Sequence, residues 1–440
     1  MRLWVYVVRR VVLAVPVLIG ILTVLFVILS ALPESTVVCS FWPPSGKVSP
    51  CTSEIPCPQN PSQLCPNPVY QAGVNGLGLN QPVFVQWFNF VGNALTFHWG
   101  YVAPGSGLGV GLAGAGLPAL AGDSVSGLIG TFLPYTLELL LLTFALTLLV
   151  VVPIQRRARA WPGGWADHVA RALTVPGYAI SIVIIGPLVA FGVMDALGGA
   201  AAPSPICGSS STVFLDFFRS WPEPTCKALY GTSNLGLFGF PTWLGLAGYQ
   251  STPTGFPTLD AAIHGDGWLA LDTVLRMVLP ALTLTWVAVA VVFRYVRFTP
   301  FEKEPFEFLA GARARGLPES DVARRLAGRS ALSEVTSGLG PALAMVLGML
   351  PLVEGYFGLW GVGSLFTYSV LGGSPEWDFG VMIGTILTCT LLVFLGSLAL
   401  DLVRAYFDPR FRLEGSNGDR LRVSSGSVHR PRSLDALAPT

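Results

Sequence analysis

Six long apolar runs leave this chain few folds to choose from. They lie near Val7–Leu32, Thr131–Pro153, Ala170–Leu197, Leu271–Phe293, Ser337–Phe357 and Phe379–Val403. A helix needs about 20 residues to cross the hydrocarbon core of a bilayer, and each run meets that length. Backbone groups in lipid must be satisfied within the segment, so runs of this kind are read as helices. Composition agrees: 52% of the residues are hydrophobic and 12% charged, against about 25% charged in a soluble domain. The expected fold class is an all-α polytopic membrane protein with six transmembrane helices. The run Ser337–Phe357 is the least regular, because it holds Gly338, Gly340, Pro341, Gly348 and Pro351. Neighbouring helices can satisfy the backbone groups that such residues free.

The first run could be a cleaved signal, with Arg9 and Arg10 as its basic start. Val11–Leu32 carries no charge over 22 residues, longer than a signal core of about 7–15 residues. It is therefore read as a retained span. Basic residues in the connections set the orientation. They cluster at Arg2, Arg9 and Arg10, at Arg156, Arg157 and Arg159, between Arg294 and Arg329, and from Arg404 to Arg432. The other connections hold only Lys47, Arg219 and Lys227. Six spans then put the N- and C-termini in the cytoplasm, with the connection 294–336 and the tail 406–440.

Two connections, 33–130 and 198–270, fall outside. Both are rich in Pro, Gly, Ser and Thr and are expected to be irregular. Cys39, Cys51, Cys57 and Cys65 sit in the first, Cys207 and Cys226 in the second, and Cys389 in the last span. Six cysteines on the oxidising side predict disulfides. The first four are expected to pair among themselves, in any of three ways, and Cys207 with Cys226. The spacing lacks the C-x₂-C step of zinc sites, so no metal is expected.

No catalytic residues are expected. The string "GVGLAG" at Gly109–Gly114 fits G-x-G-x-x-G but has no strand before it and no βαβ setting, so it is read as loop. The chain has no phosphate-binding loop of its own. Its basic residues are not interleaved with aromatics on a soluble module, which excludes nucleic acid as a partner. Glu138, Glu354 and Asp401 lie in or at the ends of spans and are the intramembrane polar candidates. Most such groups here sit within a turn or two of a span end, so packing or hydrogen bonding is the favoured role. A single-subunit ion-coupled transporter calls for deeper charges and inverted repeats, and the sequence presents neither clearly.

The basic segment "EFLAGARARGLPESDVARRLAGRSAL", Glu307–Leu332, interrupts the apolar pattern. Ala310, Gly311, Ala312 and Ala314 put small side chains on a first helix, and Gly316 breaks it. Pro318 can open a second helix at its first turn. Arg313, Arg315, Arg324, Arg325 and Arg329 offer multi-donor contacts to carboxylates. Anionic membrane lipid would also attract them. The small residues and the Gly bend favour close approach to a protein.

This segment resembles the cytoplasmic coupling loop of ABC-importer permeases, whose pattern is E-A-A-x-x-x-G followed by a second helix. Ala310, Gly311, Ala312 and Gly316 take the E, A, A and G places. It looks most like the dipeptide/oligopeptide branch, "DYxRTARAKGLSxxxVxxRHALRNAL". Leu326 and Ser330 depart from that pattern. The likeness continues in "LNQPVFVQWFNF" from Leu79, "LPYTLEL" from Leu133, "LPALTL" from Leu279, "VEGYFGLWGVGSL" from Val353 and "DPRFR" from Asp408. In the fourth of these, Trp360 replaces the family's Pro. Glu34–Gly76, most of Gly198–Ala270 and the tail after Arg412 lie outside the likeness.

The resemblance implies a type I ABC-importer permease fold in the plasma membrane, multi-pass, with peptides or, alternatively, oligosaccharides as solute. It implies a second homologous permease, two ATPase subunits and an extracytoplasmic substrate-binding protein as partners. ATP and Mg would sit on the ATPases, and this chain would bind no cofactor. The implied ATPase contact comprises Ala310, Gly311, Ala312, Arg313, Arg315, Gly316, Leu317, Arg325 and Arg329.

Overall fold

The computed structural model describes residues 3–43, 51–57, 60–102, 124–160, 164–180, 184–189, 256–263, 267–298, 314–316, 328–357, 361–371 and 378–407, with single residues at 254, 311, 318 and 359. The first long helix, α1 (Leu3–Ser30), is followed by α2 (Glu34–Phe41). A two-stranded antiparallel hairpin, β1 (Glu54–Cys57) and β2 (Asn60–Pro66), comes next. Two helices follow, α3 (Pro68–Leu77) and α4 (Val83–Leu95). Then come α5 (Val125–Ala160), α6 (Trp165–Ala179), the short α7 (Pro257–Ile263) and α8 (Gly267–Phe298). The last three helices are α9 (Gly328–Phe357), α10 (Val362–Leu371) and α11 (Phe379–Phe407).

Five helices among the described residues are long and apolar enough to cross a membrane. Their spanning parts are Val12–Ser30, Val125–Ala158, Met277–Val296, Val335–Gly355 and Phe379–Val403. The third expected run, Ala170–Leu197, begins in α6 and continues through helical residues 184–189. Residues 181–183 and 190–253 lie outside the described set, so this run is described only in part. Several helices overrun the apolar stretches. α5 continues through Arg156, Arg157 and Arg159 and reaches about 54 Å, well beyond a 30 Å hydrocarbon core.

Burial follows helical periodicity where one face is left exposed. On α1, Leu22, Leu25, Phe26 and Leu29 are buried, while Val17, Val24, Val27 and Ile28 are exposed. That i, i+3, i+4, i+7 stripe is the mark of a helix packed along one side. α8 is the opposite case. From Val287 to Phe293 every residue is buried, because α5, α6 and α9 all pack on it. Small residues allow these approaches, as between membrane helices generally. A Cβ on Gly338 of α9 would stand 3.0 Å from Val292 Cα of α8. Gly177 of α6 meets Ala290 of α8 in the same manner. Thr285 of α8 donates its hydroxyl to Thr143 O of α5 at 3.3 Å, a polar tie between two spans.

Over its described residues 33–43, 51–57 and 60–102 the first connection is ordered rather than irregular, which corrects the expectation for that part. Four cysteines organise it: Cys39 pairs with Cys51 and Cys57 with Cys65. The second pair clamps the hairpin. Asn67 then caps α3, accepting from Val69 N–H at 2.9 Å and from Tyr70 N–H, with Pro68 in the first turn. Gly78, at φ +70°, ends the helix. These are ordinary helix punctuation, and the Pro- and Gly-rich composition hid them. The hairpin also makes the fold mostly rather than wholly helical. Cys207 and Cys226, and the "GVGLAG" string, lie outside the described residues. Cys389 is a free thiol on α11.

Candidate functional site

Glu354 stands near the end of α9 and is fully buried. Its carboxylate faces the start of α10. Ser364 N–H donates to Oε2 at 2.9 Å, and Thr136 Oγ1 of α5 donates to Oε1 at 2.9 Å. Thr136 Oγ1 in turn accepts from Val362 N–H at 2.8 Å. Ser364 Oγ accepts from Gly361 N–H at 3.0 Å and donates to Gly361 O at 2.8 Å. One acidic side chain and one threonine thus satisfy the amide groups that open α10. A helix N-terminus carries unpaired N–H groups and a partial positive charge, and a carboxylate answers both.

Glycine makes this geometry accessible. A Cβ on Gly361 would run into the Glu354 carboxylate. A Cβ on Gly363 would stand 2.6 Å from Leu350 C and 2.9 Å from Glu354 Oε2. The segment 361–364 is therefore closed around the Glu354 carboxylate. It fixes how α9, α10 and α5 meet. The hydroxyls of Thr136 and Ser364 are taken up in these hydrogen bonds, and the role of the site is positional.

Glu138 on α5 plays a comparable part for α7. Thr258 donates to it through its backbone N–H at 3.0 Å and its hydroxyl at 2.9 Å. Asp260 of α7 accepts from Thr254 N–H at 3.1 Å and from Thr254 Oγ1 at 2.6 Å. Asp378, also fully buried, opens α11 by accepting from Val381 N–H at 3.2 Å. Asp401 sits in the last turns of α11, partly exposed. So two of the three intramembrane candidates, Glu138 and Glu354, are hydrogen-bonding groups at helix starts. Reading the sequence missed their partners Thr136, Thr258 and Ser364. The spacing of Glu354, Gly361, Gly363 and Ser364 was the signal available.

Ahead of α9, the basic segment is described at Gly311, Ala314, Arg315, Gly316 and Pro318. Arg315 N–H donates to Gly311 O at 3.2 Å, a helical i to i−4 bond. Gly316 follows at φ +76°. This is the left-handed residue that ends a helix. All five of these residues are exposed, and a Cβ at Gly311 or Gly316 would meet nothing within 4 Å. Ala310, Ala312, Arg313, Leu317 and Arg325 lie outside the described residues. Arg329 falls in the first turn of α9, the same helix that becomes a span. Arg329 and Glu354 stand at opposite ends of α9, about 38 Å apart at helical rise.

A family model described as "Binding-protein-dependent transport system inner membrane component" matches residues 157–413, well over half of the chain. The match takes in the basic segment and the Glu354 turn, and leaves out the disulfide-bearing region. The chain is 28% identical over 334 residues to the probable D,D-dipeptide transport system permease protein DdpB of Escherichia coli (strain K12), covering 76% of this chain and 82% of that one. It is 24% identical over 405 residues to the oligopeptide transport system permease protein AppB of Bacillus subtilis (strain 168), covering 92% and 98%. It is 21% identical over 335 residues to a protein named putrescine export system permease protein SapB of Escherichia coli (strain K12), covering 74% and 84%. Sequence match and apolar spans agree: this multi-pass cell-membrane permease, which is not an enzyme, belongs to the binding-protein-dependent transport system inner membrane component family.

Proposed function

We propose that this chain is one of two membrane subunits of an ATP-driven importer, and that its solutes are peptides. It has six spans with both ends in the cytoplasm. A second, similar permease completes the pathway, an extracytoplasmic binding protein delivers solute, and two ATPases dock on the segment around Ala310–Gly316. ATP and Mg belong to those ATPases, and this chain binds no cofactor. Gly311, Ala312 and Gly316 permit close approach, while Arg313, Arg315, Arg325 and Arg329 grip carboxylates on the ATPase. Closure of the ATPases then moves one helical unit against another, which requires two alternative packings of the spans.

One observation carries this reading: the exposed helix end at Gly316, with a left-handed backbone and no described atom within 4 Å of where a Cβ would stand. A bend of that kind, with no covering group from its own chain among the described residues, suits a surface made for another subunit. Gly316→Ile tests it. A β-branched residue in a left-handed conformation costs about 1–2 kcal/mol, and the added bulk blocks close approach. The complex purified through this chain is expected to lose its ATPases, or to keep them and lose solute-stimulated ATP hydrolysis and uptake. Native levels of all three would overturn the coupling assignment. The peptide assignment is tested apart from it, in proteoliposomes loaded on either side with dipeptides, oligopeptides, oligosaccharides or putrescine. ATP-dependent inward movement of peptides is expected. Outward movement, or transport of another class alone, would reject it.

A further inference from the structure

Helix α4 was placed by sequence in an outside connection, yet its surface is that of a membrane element. Its sequence, VFVQWFNFVGNAL, carries no charge, and none of its residues is fully buried. Phe84 is 69% and Phe88 53% exposed. These two rings meet edge to face at 4.7 Å, and Trp87 joins them. An aromatic cluster of this size has no cover among the described residues. In water it would be an exposed apolar patch of the kind that marks an interaction site.

Two spans fix the depth at which this helix lies. Trp87 Nε1 donates to Thr23 Oγ1 at 3.2 Å, and Phe90 packs on Phe26 at 5.9 Å. Thr23 lies inside the span Val12–Ser30, about 10 Å before its end at helical rise. Thr23 also donates to Ile19 O at 2.7 Å, so its hydroxyl is satisfied without water. Val83, Gln86 and Phe90 also line a cleft of about 280 Å³ together with Phe26 and Leu29 of α1 and Ile383 and Leu387 of α11. Leu387 lies inside the span Phe379–Val403, about 12 Å from its start. Both spans therefore put α4 below the level at which they emerge.

The turn that leads into α4 fits the same depth. Gln86 Nε2 donates to Leu79 O and to Gln81 O, both at 2.8 Å. Gln81 N–H donates to Gly78 O at 2.9 Å, and Leu79 N–H to Val74 O at 3.0 Å. Non-helical backbone at membrane depth is tolerated only when its polar groups are satisfied. Here one side chain of α4 covers two carbonyls of the turn before it.

We propose that α4 is an interfacial helix sunk into the lipid leaflet where α1 ends and α11 begins, with Phe84 and Phe88 against acyl chains and Trp87 anchored to Thr23. Such helices bury their apolar face about 5–10 Å into the headgroup and acyl boundary, the depth reached at Thr23. The inference rests on α1 and α11 being spans, and on neither the solute nor the ATPase contact.

Nitroxide labels on Phe84→Cys, Phe88→Cys and Leu64→Cys test it, each in a Cys389→Ser background, with the complete complex in nanodiscs of phosphatidylethanolamine and phosphatidylglycerol. Leu64 is the aqueous control: an apolar side chain of the same disulfide-bearing region, 67% exposed on β2. Labels at 84 and 88 are expected to collide with oxygen more than with a water-soluble nickel chelate, and the label at 64 the reverse. Nickel access at 84 and 88 equal to that at 64 would overturn the proposal. Low access to both reagents would overturn it too, by showing that another protein chain covers the face. A second measurement leaves the chain unaltered. A phospholipid with a diazirine on its acyl chain is expected to crosslink the peptide Val83–Leu95 of the native complex. Crosslinks to α1 with none to that peptide would count against the proposal.

Discussion

Glu354 shows how much can rest on one side chain. Its two oxygens take a hydroxyl from α5 and an amide from α10, and the side chain is 1% exposed. Glu354→Ala strands both donors at once. An unsatisfied buried donor costs about 1–3 kcal/mol, so a loss of several kcal/mol is expected. Glu354→Gln keeps the shape and one acceptor, and should lose less. Thr136→Val removes the hydroxyl that links Glu354 to Val362 N–H and should fall between the native chain and Glu354→Ala. Thermal unfolding of the three variants in detergent checks the order. A Glu354→Ala chain as stable as the native one would mean that the carboxylate does not hold the start of α10.

Neighbouring helices show what the sequence could and could not reveal. Five of the six expected spans were legible because lipid demands about 20 apolar residues, and the expected bounds of α11 match its spanning part at both ends. The Gly316 bend was legible because a helix end needs a residue that tolerates positive φ. The fold of residues 33–102 was not. Its order depends on which cysteines pair and on side-chain caps such as Asn67, and Pro- and Gly-rich composition reads the same in a loop. The depth of α4 was hidden too, since its apolar pattern is too short for a span, and only contact with Thr23 and the cleft it shares with Leu387 reveal it. Glycine roles were equally mute. Three glycines of α9 look alike in sequence, but Gly338 faces the backbone of Val292, whereas a Cβ on Gly340 or Gly348 would meet nothing within 4 Å. Overpacking a tight contact costs about 1–3 kcal/mol. Gly338→Ala should therefore lower the unfolding temperature of the purified subunit. Gly340→Ala and Gly348→Ala should leave it level or raise it, since Ala is the better helix former. Equal loss at all three would show that α9 does not approach α8 as described.

At the scale of the whole molecule the chain divides into an enclosed core and a fastened flank. The core is α8 with α5, α6 and α9 around it, and it is held by buried aliphatic surface and close helix approach. The flank is α1, whose packing runs through α4 and α11. α4 in turn follows from a region stapled by Cys39–Cys51 and Cys57–Cys65. These bonds close short loops of 12 and 8 residues. A loop of about 15 residues is worth about 3 kcal/mol by chain entropy, and shorter ones less. Their loss should not unfold a core that contains neither bond. It should loosen the flank alone. Hydrogen exchange on the nanodisc-embedded complex, with and without a phosphine reductant, separates the two outcomes. Exchange is expected to quicken across α2, the hairpin, α3 and α4, and to spread into the last turns of α1 that Trp87 and Phe90 hold. It is expected to stay unchanged across α8 and α9. A uniform rise would mean that the flank and the core unfold as one unit. No rise in the flank would mean that packing on α1 and α11 holds it, and that the disulfides add nothing to the fastening.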